Sequence, residues 1–362
     1  MMGVLNHLST LLLLSLLPPA LSHVVERFDP ECKKFFLKGT TPNLPGILYD
    51  GKVQDEGRYK LICQKYKNIY RFATLYDTFN RIPVFSAYTF TGPPTDPRPK
   101  QPWMIEPQVG LISIHSTCVF DYCYRHTISL RLENINKEEM KTQCDLNVLN
   151  KNVKHQAVYA DYINNNMSLD RGHLFPCSYA PGDAAMRSTF TLTNAVPQDH
   201  TFNNGSWNRM ERNVRKYLEE NCKINNKRKA YVVTGAVPNN NKLKNRVNIP
   251  ELLWTAFCCL DKMTEKWVAQ AHWGENVPDT EGKTLKQETL GALEVKLKNI
   301  YNDDVKVFHH KCPRNVSVLE DETGRNLETV EQVGKNRGRE RSGVGSIKNN
   351  GYNKGYNKGY NG

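Results

Sequence analysis

Short β-branched or aromatic runs bounded by turn residues recur along the middle of the chain. Phe85-Ser-Ala-Tyr-Thr-Phe90, Ser188-Thr-Phe-Thr-Leu-Thr193, Ala230-Tyr-Val-Val-Thr234 and Leu253-Trp-Thr-Ala-Phe-Cys258 each predict a strand. The pattern changes period between Gly205 and Asn221, where Trp207, Met210, Val214, Tyr217 and Leu218 recur at helical spacing. Glu211, Arg212, Arg215 and Lys216 fill the polar positions, so this segment predicts an amphipathic helix. A second helix is expected over Leu285 to Ile300. Strands and helices intermingle without regular alternation, which points to an α+β fold with a mixed, mainly antiparallel central sheet flanked by helices.

The two ends have different characters. Leu8 to Leu17 is mostly apolar and runs into Pro18-Pro19 and the small-residue stretch Ala20-Leu21-Ser22, the layout of a secretory signal peptide over residues 1–22. No later segment approaches the roughly 18–20 uncharged apolar residues of a membrane span. Residues 23–312 have the mixed composition of one large domain, and 313–362 are rich in Gly, Asn, Lys and Arg and close on a Gly-Tyr-Asn-Lys repeat. That composition predicts a disordered tail.

Ten cysteines lie beyond the leader, and an even number in an exported chain reads as disulfides. Cys32 with Cys63 would clip the N-terminal arm to the body, and Cys118 with Cys123 would close a short loop. Sequons at Asn166, Asn204 and Asn315 fit export. The formal net charge of +12 favours polyanionic partners, among them nucleic acid, heparan-like glycans and anionic membranes.

Chemistry concentrates between Asp170 and Arg215. In Asp170-Arg171-Gly172-His173, an imidazole can accept a proton near neutral pH, Arg171 can hold phosphate oxygens as a planar fork, and Asp170 can orient neighbours. Asn203, at the mouth of the predicted helix, offers an amide oxygen of the kind Mg²⁺ accepts. Glu211 and Arg215, four apart, share a helix face. Plainer readings stand beside these: a turn at the tetrapeptide, a helix cap at Asn203 and a surface ion pair between Glu211 and Arg215. His115-x-x-Cys118-x-x-x-x-Cys123-x-x-His126 is a candidate zinc set, against a disulfide for the two cysteines. His200 is a rival base, against an ordinary surface histidine.

Taken together, Asp170 to His173, Thr193-Asn-Ala-Val-Pro-Gln198, Asn203-Asn-Gly-Ser-Trp207, Glu211, Arg215 and Tyr231-Val-Val-Thr-Gly235 resemble the DNA/RNA non-specific endonucleases. The resemblance runs from about Ala73 to Lys311. Phe72-Ala-Thr-Leu-Tyr-Asp-Thr78, Arg81-Ile-Pro83, Ser86-Ala-Tyr88 and Trp103-Met-Ile-Glu-Pro-Gln108 are similar to one vertebrate group, the endonuclease domain-containing 1 proteins. The resemblance implies a ββα-metal core and a secreted phosphodiesterase acting on DNA, RNA or both. It further implies His173 as general base, Asn203 as the direct ligand of Mg²⁺ (or Mn²⁺), and Glu211 at the metal's water shell. Arg171 and Arg215 fall at the phosphate. The family has one more active-site arginine upstream, which falls on Arg98 or Lys100. A catalytically silent nuclease fold that binds nucleic acid or another protein is the alternative, and a glycan on Asn204 would favour it.

Overall fold

The computed structural model describes residues 24–315, apart from 29, 31, 107–111, 120–121, 130–139, 143–152, 225–226 and 281. The leader and the tail beyond 315 therefore lie outside the described residues. Along the chain, β1 (Val24–Val25), β2 (Tyr59–Tyr66), β3 (Ile69–Asp77) and β4 (Ile82–Phe90) come first, followed by the hairpin of β5 (Ile112–Val119) and β6 (Tyr122–Ser129). The middle supplies α1 (Tyr159–Tyr162), β7 (Leu169–His173), α2 (Gly182–Ser188), β8 (Ala195–Asp199) and α3 (Asn208–Asn221). Then come β9 (Ala230–Val237), β10 (Leu252–Leu260), β11 (Trp267–Glu275) and α4 (Leu290–Tyr301).

Seven of these strands form one sheet in the order β1-β2-β3-β4-β9-β10-β11, with every neighbouring pair antiparallel. Side chains alternate across it. Tyr88 and Phe90 of β4 enter the core beneath α3 and the β7–β8 hairpin, whereas Phe85 and Ala87 enter the core beneath α4 and the N-terminal arm. Both faces being covered, eight of the nine residues of β10 are buried, so its sequence reads as a continuous apolar run.

Among the described residues three disulfides tie the layers to this sheet. Cys32–Cys63 fastens the arm to β2, as expected. Adjacent Cys258 and Cys259 point to opposite faces of β10, and each is bonded on its own side: Cys259 to Cys222 at the end of α3, Cys258 to Cys312 near the end of the body. Cys177 is a buried free thiol, which departs from the expectation that every cysteine is bonded. The side chains of the β5–β6 hairpin, and with them the candidate zinc set and the Cys118–Cys123 pairing, lie outside the described residues, as does Cys144.

Two expected elements are corrected. Ser188 to Thr193 is not a strand: α2 runs through Ser188, and Leu192 to Asn194 is a 3₁₀ turn. The hydroxyls at the start of this run bond locally, Ser188 Oγ donating to Ala185 O and Thr189 Oγ1 to Met186 O, which closes the helix rather than opening a ladder. The second helix starts at Leu290, not Leu285. Glu288 bridges to Ala271 in extended form, and Thr289 caps the helix by accepting from the Ala292 N–H at 3.0 Å.

Candidate active site

The site is built on the β7–β8 hairpin, whose register sets Asp170 opposite Gln198 and His173 opposite Ala195. Strand alternation puts Arg171 and His173 on one face and Asp170 and Gly172 on the other. Gly172 is required here, because a Cβ would collide with the Oε1 and also the Cβ of Gln198, a buried side chain. The backbone just beyond His173 is held by Asn194. That residue is fully buried, and its Oδ1 accepts from Phe175 N at 2.9 Å while its Nδ2 donates to Phe175 O and Thr189 O.

His173 sits between two aromatic rings, Trp103 at 4.8 Å and Phe190 edge-on at 4.9 Å. Its Nε2 is buried and has no hydrogen-bond partner among the described residues. Burial, with the positive charges of Arg98 and Arg171 added, pushes its pKa down to about 3, so the ring is neutral at physiological pH. The Arg171 guanidinium lies over Trp103, Tyr159 and Tyr162 at 5.5, 5.5 and 5.8 Å, a three-sided aromatic cradle. Of the two upstream candidates, Arg98 lies over Phe190, the ring that also packs on His173, at 5.3 Å.

The next wall is α3. Glu211 accepts from Trp207 Nε1 at 2.9 Å, and its backbone carbonyl accepts from Tyr179 Oη at 2.6 Å. Burial raises the Glu211 carboxyl to about 8, against the opposing effects of that hydrogen bond, Arg98 and Arg215. The surface ion pair between Glu211 and Arg215 does not form; Arg215 pairs with Glu219 at 3.3 Å. Arg98 thus stands electrostatically between the hairpin and α3, acting on both His173 and Glu211.

Asn203 joins through Asp170. It does not cap a helix, since Asp199 does that work by accepting from Thr201 N and Phe202 N. Instead its Nδ2 donates to Asp170 Oδ2 at 2.9 Å, so the amide is oriented by that carboxylate and its Oδ1 is not used in the bond. The same carboxylate accepts from Asn204 Nδ2 at 3.0 Å and faces His200 Nδ1 at 3.1 Å, so His200 is a partner of Asp170 rather than a member of the His173 face. The six expected residues thus fall into a His173, Arg171, Arg98, Glu211 and Arg215 group and an Asn203 arm, linked by β7. Four participants were not singled out from the sequence for what they do here: Trp103, Phe190, Tyr159 and Tyr162. Their rings carry no periodic signal, and only the fold sets them around His173 and Arg171.

Residues 147–324 match the DNA/RNA non-specific endonuclease family. The chain is 32% identical over 234 residues to the human endonuclease domain-containing 1 protein, covering 63% of this chain and 39% of that one. The mouse protein gives 32% over 229 residues, 63% and 38%. The chain therefore spans about two-fifths of the length of these relatives. Among solved structures, a chain of an EndoG/EndoGI complex superposes with a TM-score of 0.41 at 16% identity, covering 65% of this chain and 84% of the other. With the Asp-Arg-Gly-His hairpin and the following helix inside the matched segment, the chain belongs to the DNA/RNA non-specific endonuclease family.

Proposed function

We propose that this chain is a secreted, metal-dependent endonuclease that hydrolyses phosphodiester bonds of DNA, RNA or both without reading base sequence. The observation that carries the reading is His173, a neutral imidazole whose buried Nε2 has no partner among the described residues and which lies in the field of two arginines. A neutral imidazole accepts protons, and guanidinium groups attract the phosphodiester.

In this reading Arg98 and Arg171 draw the phosphate toward His173. Nε2 takes a proton from water, the water oxygen attacks phosphorus, and the 3′ oxygen departs. The bound phosphate offsets the charges that depress His173, so its pKa rises in the complex and the base strengthens when substrate is present. Arg215 adds fixed positive charge near Glu211. The donor set fits a hard divalent cation: Asn203 would hold it through Oδ1, and Glu211 would meet its water shell. Bound Mg²⁺, or Mn²⁺ in its place, would supply Lewis-acid stabilisation of charge on the phosphate and the departing oxygen.

Export is supported by the leader-like residues 1–22 and the three disulfides. Among the described residues no helix is long and apolar enough to cross a membrane. The test is conversion of supercoiled plasmid to nicked and linear forms by the purified protein. Cleavage should appear with Mg²⁺ and stop with EDTA, and a protein that bound the plasmid but never cut it would favour the catalytically silent alternative.

A further inference from the structure

The turn from β3 to β4 presents Phe79 to solvent, 62% exposed, on a backbone that cannot yield. Buried Asp77 locks it, accepting from Phe79 N and Asn80 N at 3.0 Å and from Asn80 Nδ2 at 2.8 Å, and pairing with Arg58 at 2.6 Å. Arg81 closes the turn at a φ of 56°, its guanidinium fixed on the carbonyls of Lys154, Phe79 and Arg246. An isolated exposed phenylalanine is ordinary. This one has cations beside it, Lys242 Nζ at 4.9 Å and the Arg58 guanidinium at 5.3 Å from the ring centroid. Among the described residues Lys242 makes no ion pair.

Two overlapping depressions of about 550 and 570 Å³ meet at Arg58, Phe79 and Lys242. The second shares Arg81 with a third, of about 460 Å³, lined by Lys154, Arg246 and the α1 residues Ala160 and Asp161. Tyr159 and Tyr162 of that same short helix cradle Arg171. These depressions, joined through shared lining residues, form a trough that runs from α1, the helix whose tyrosines cradle Arg171, to the Phe79 turn. Its carboxylates do not cancel its cations: Asp161 is paired with Arg246 and Asp77 with Arg58, which leaves Asp55 and Glu251 against Arg81, Lys154 and Lys242.

We infer that this trough is a second binding site for the polynucleotide, in which Lys242 takes a backbone phosphate and Phe79 offers an aromatic surface to an unstacked base. A rigid aromatic beside unpaired positive charge is what sequence-tolerant binding of single strands uses. The inference rests on the nuclease reading for its ligand, and its role is to hold the strand outside the cleaved position.

The test uses the full chain and two variants, Lys242→Glu at a half-buried site and Phe79→Ala at an exposed one, with fluorescein-labelled oligothymidine in EDTA to read binding without cleavage. Each variant should weaken binding several-fold, and Lys242→Glu should flatten the salt dependence by roughly one counterion. With Mg²⁺, KM for a long single strand should rise in both variants, while cleavage of a dinucleotide, too short to reach the turn, stays at the wild-type rate. Unchanged binding and KM in both variants would overturn the site, as would equal loss on the dinucleotide or Lys242-dependent binding of heparin without binding of DNA. Wild-type protein that binds the strand through Lys242 yet cuts nothing would overturn the nuclease reading and leave the site standing.

Discussion

Arg98 and Arg171 act on His173 in the same direction, and that sets an expectation for pH dependence. A general base must be neutral to accept a proton, so with His173 in the proposed role kcat/KM would fall as pH drops through its pKa. That value lies far below the usual 6.5 in the free protein. Activity should therefore hold as pH is lowered through 6.5. Arg98→Ala, by removing a charge that disfavours the imidazolium, should move the acidic limb to higher pH, and Arg98→Lys should move it back. An acidic limb indifferent to Arg98 would separate that residue from the base. Much of this was legible: Asp-Arg-Gly-His and the Asn203 to Arg215 spacing are visible in the sequence. Arg98 and Lys100 look alike in the sequence, because the contact that sets Arg98 apart, the Phe190 ring beneath it, is made only in the fold.

At the scale of elements, the hairpin and α3 differ in how far sequence betrays them. The apolar stripe of α3 stands out because its other face meets water, and Met210, Val214, Tyr217 and Leu218 are the residues it buries. β2 and β3 were missed. Lys60, Gln64 and Lys65 lie buried among the apolar residues of β2, and a buried Gln64 that donates to Thr193 Oγ1 at 2.9 Å looks, in sequence, like a solvated residue. The hairpin itself depends on one contact that spacing cannot reveal, the approach of Gly172 to Gln198. Gly172→Ala should therefore force the strands apart, costing about 1–3 kcal/mol as for other overpacked sites. It should also lower cleavage, by displacing both His173 and Arg171. Thermal denaturation beside a nicking assay checks this, and unchanged values in both would mean the hairpin yields freely.

Across the whole molecule, stability rests on a sheet sandwiched between two layers, each tied to β10 by its own disulfide. Cys222–Cys259 and Cys258–Cys312 close loops of 37 and 54 residues, for which chain entropy gives about 4 kcal/mol apiece. Replacing either pair by alanine should lower Tm markedly. Two buried neutral histidines add an acid sensitivity. His272, held by Lys286 O and beside Gln270 Nε2, has its pKa pushed down to about 4 by burial. The unfolded chain takes up that proton below about 6.5 and the folded chain does not. Stability is then full above 6.5 and declines as pH falls to about 4, by roughly 3 kcal/mol for His272 alone. His173 adds to the same slope. Urea denaturation across this pH range should show the decline, and His272→Gln should make it shallower. At the C-terminal end Arg314 docks on Glu294 at 3.1 Å and on the carbonyls of Phe308, His309 and Cys312. A chain ending after Asn315 should thus fold and cleave as the full chain does, whereas one ending at Cys312 should be less stable.

If His173 is the base of a hydrolytic phosphodiesterase, its loss must slow the chemical step and leave substrate binding intact. Single-turnover cleavage of a labelled oligonucleotide at saturating Mg²⁺, by wild-type protein and by His173→Ala with an unchanged circular dichroism spectrum, tests it most directly. The variant should bind the oligonucleotide as the wild type does and cut it at least roughly a hundredfold more slowly, the scale of a lost general base. A folded His173→Ala protein that cut at close to the wild-type rate would contradict the account.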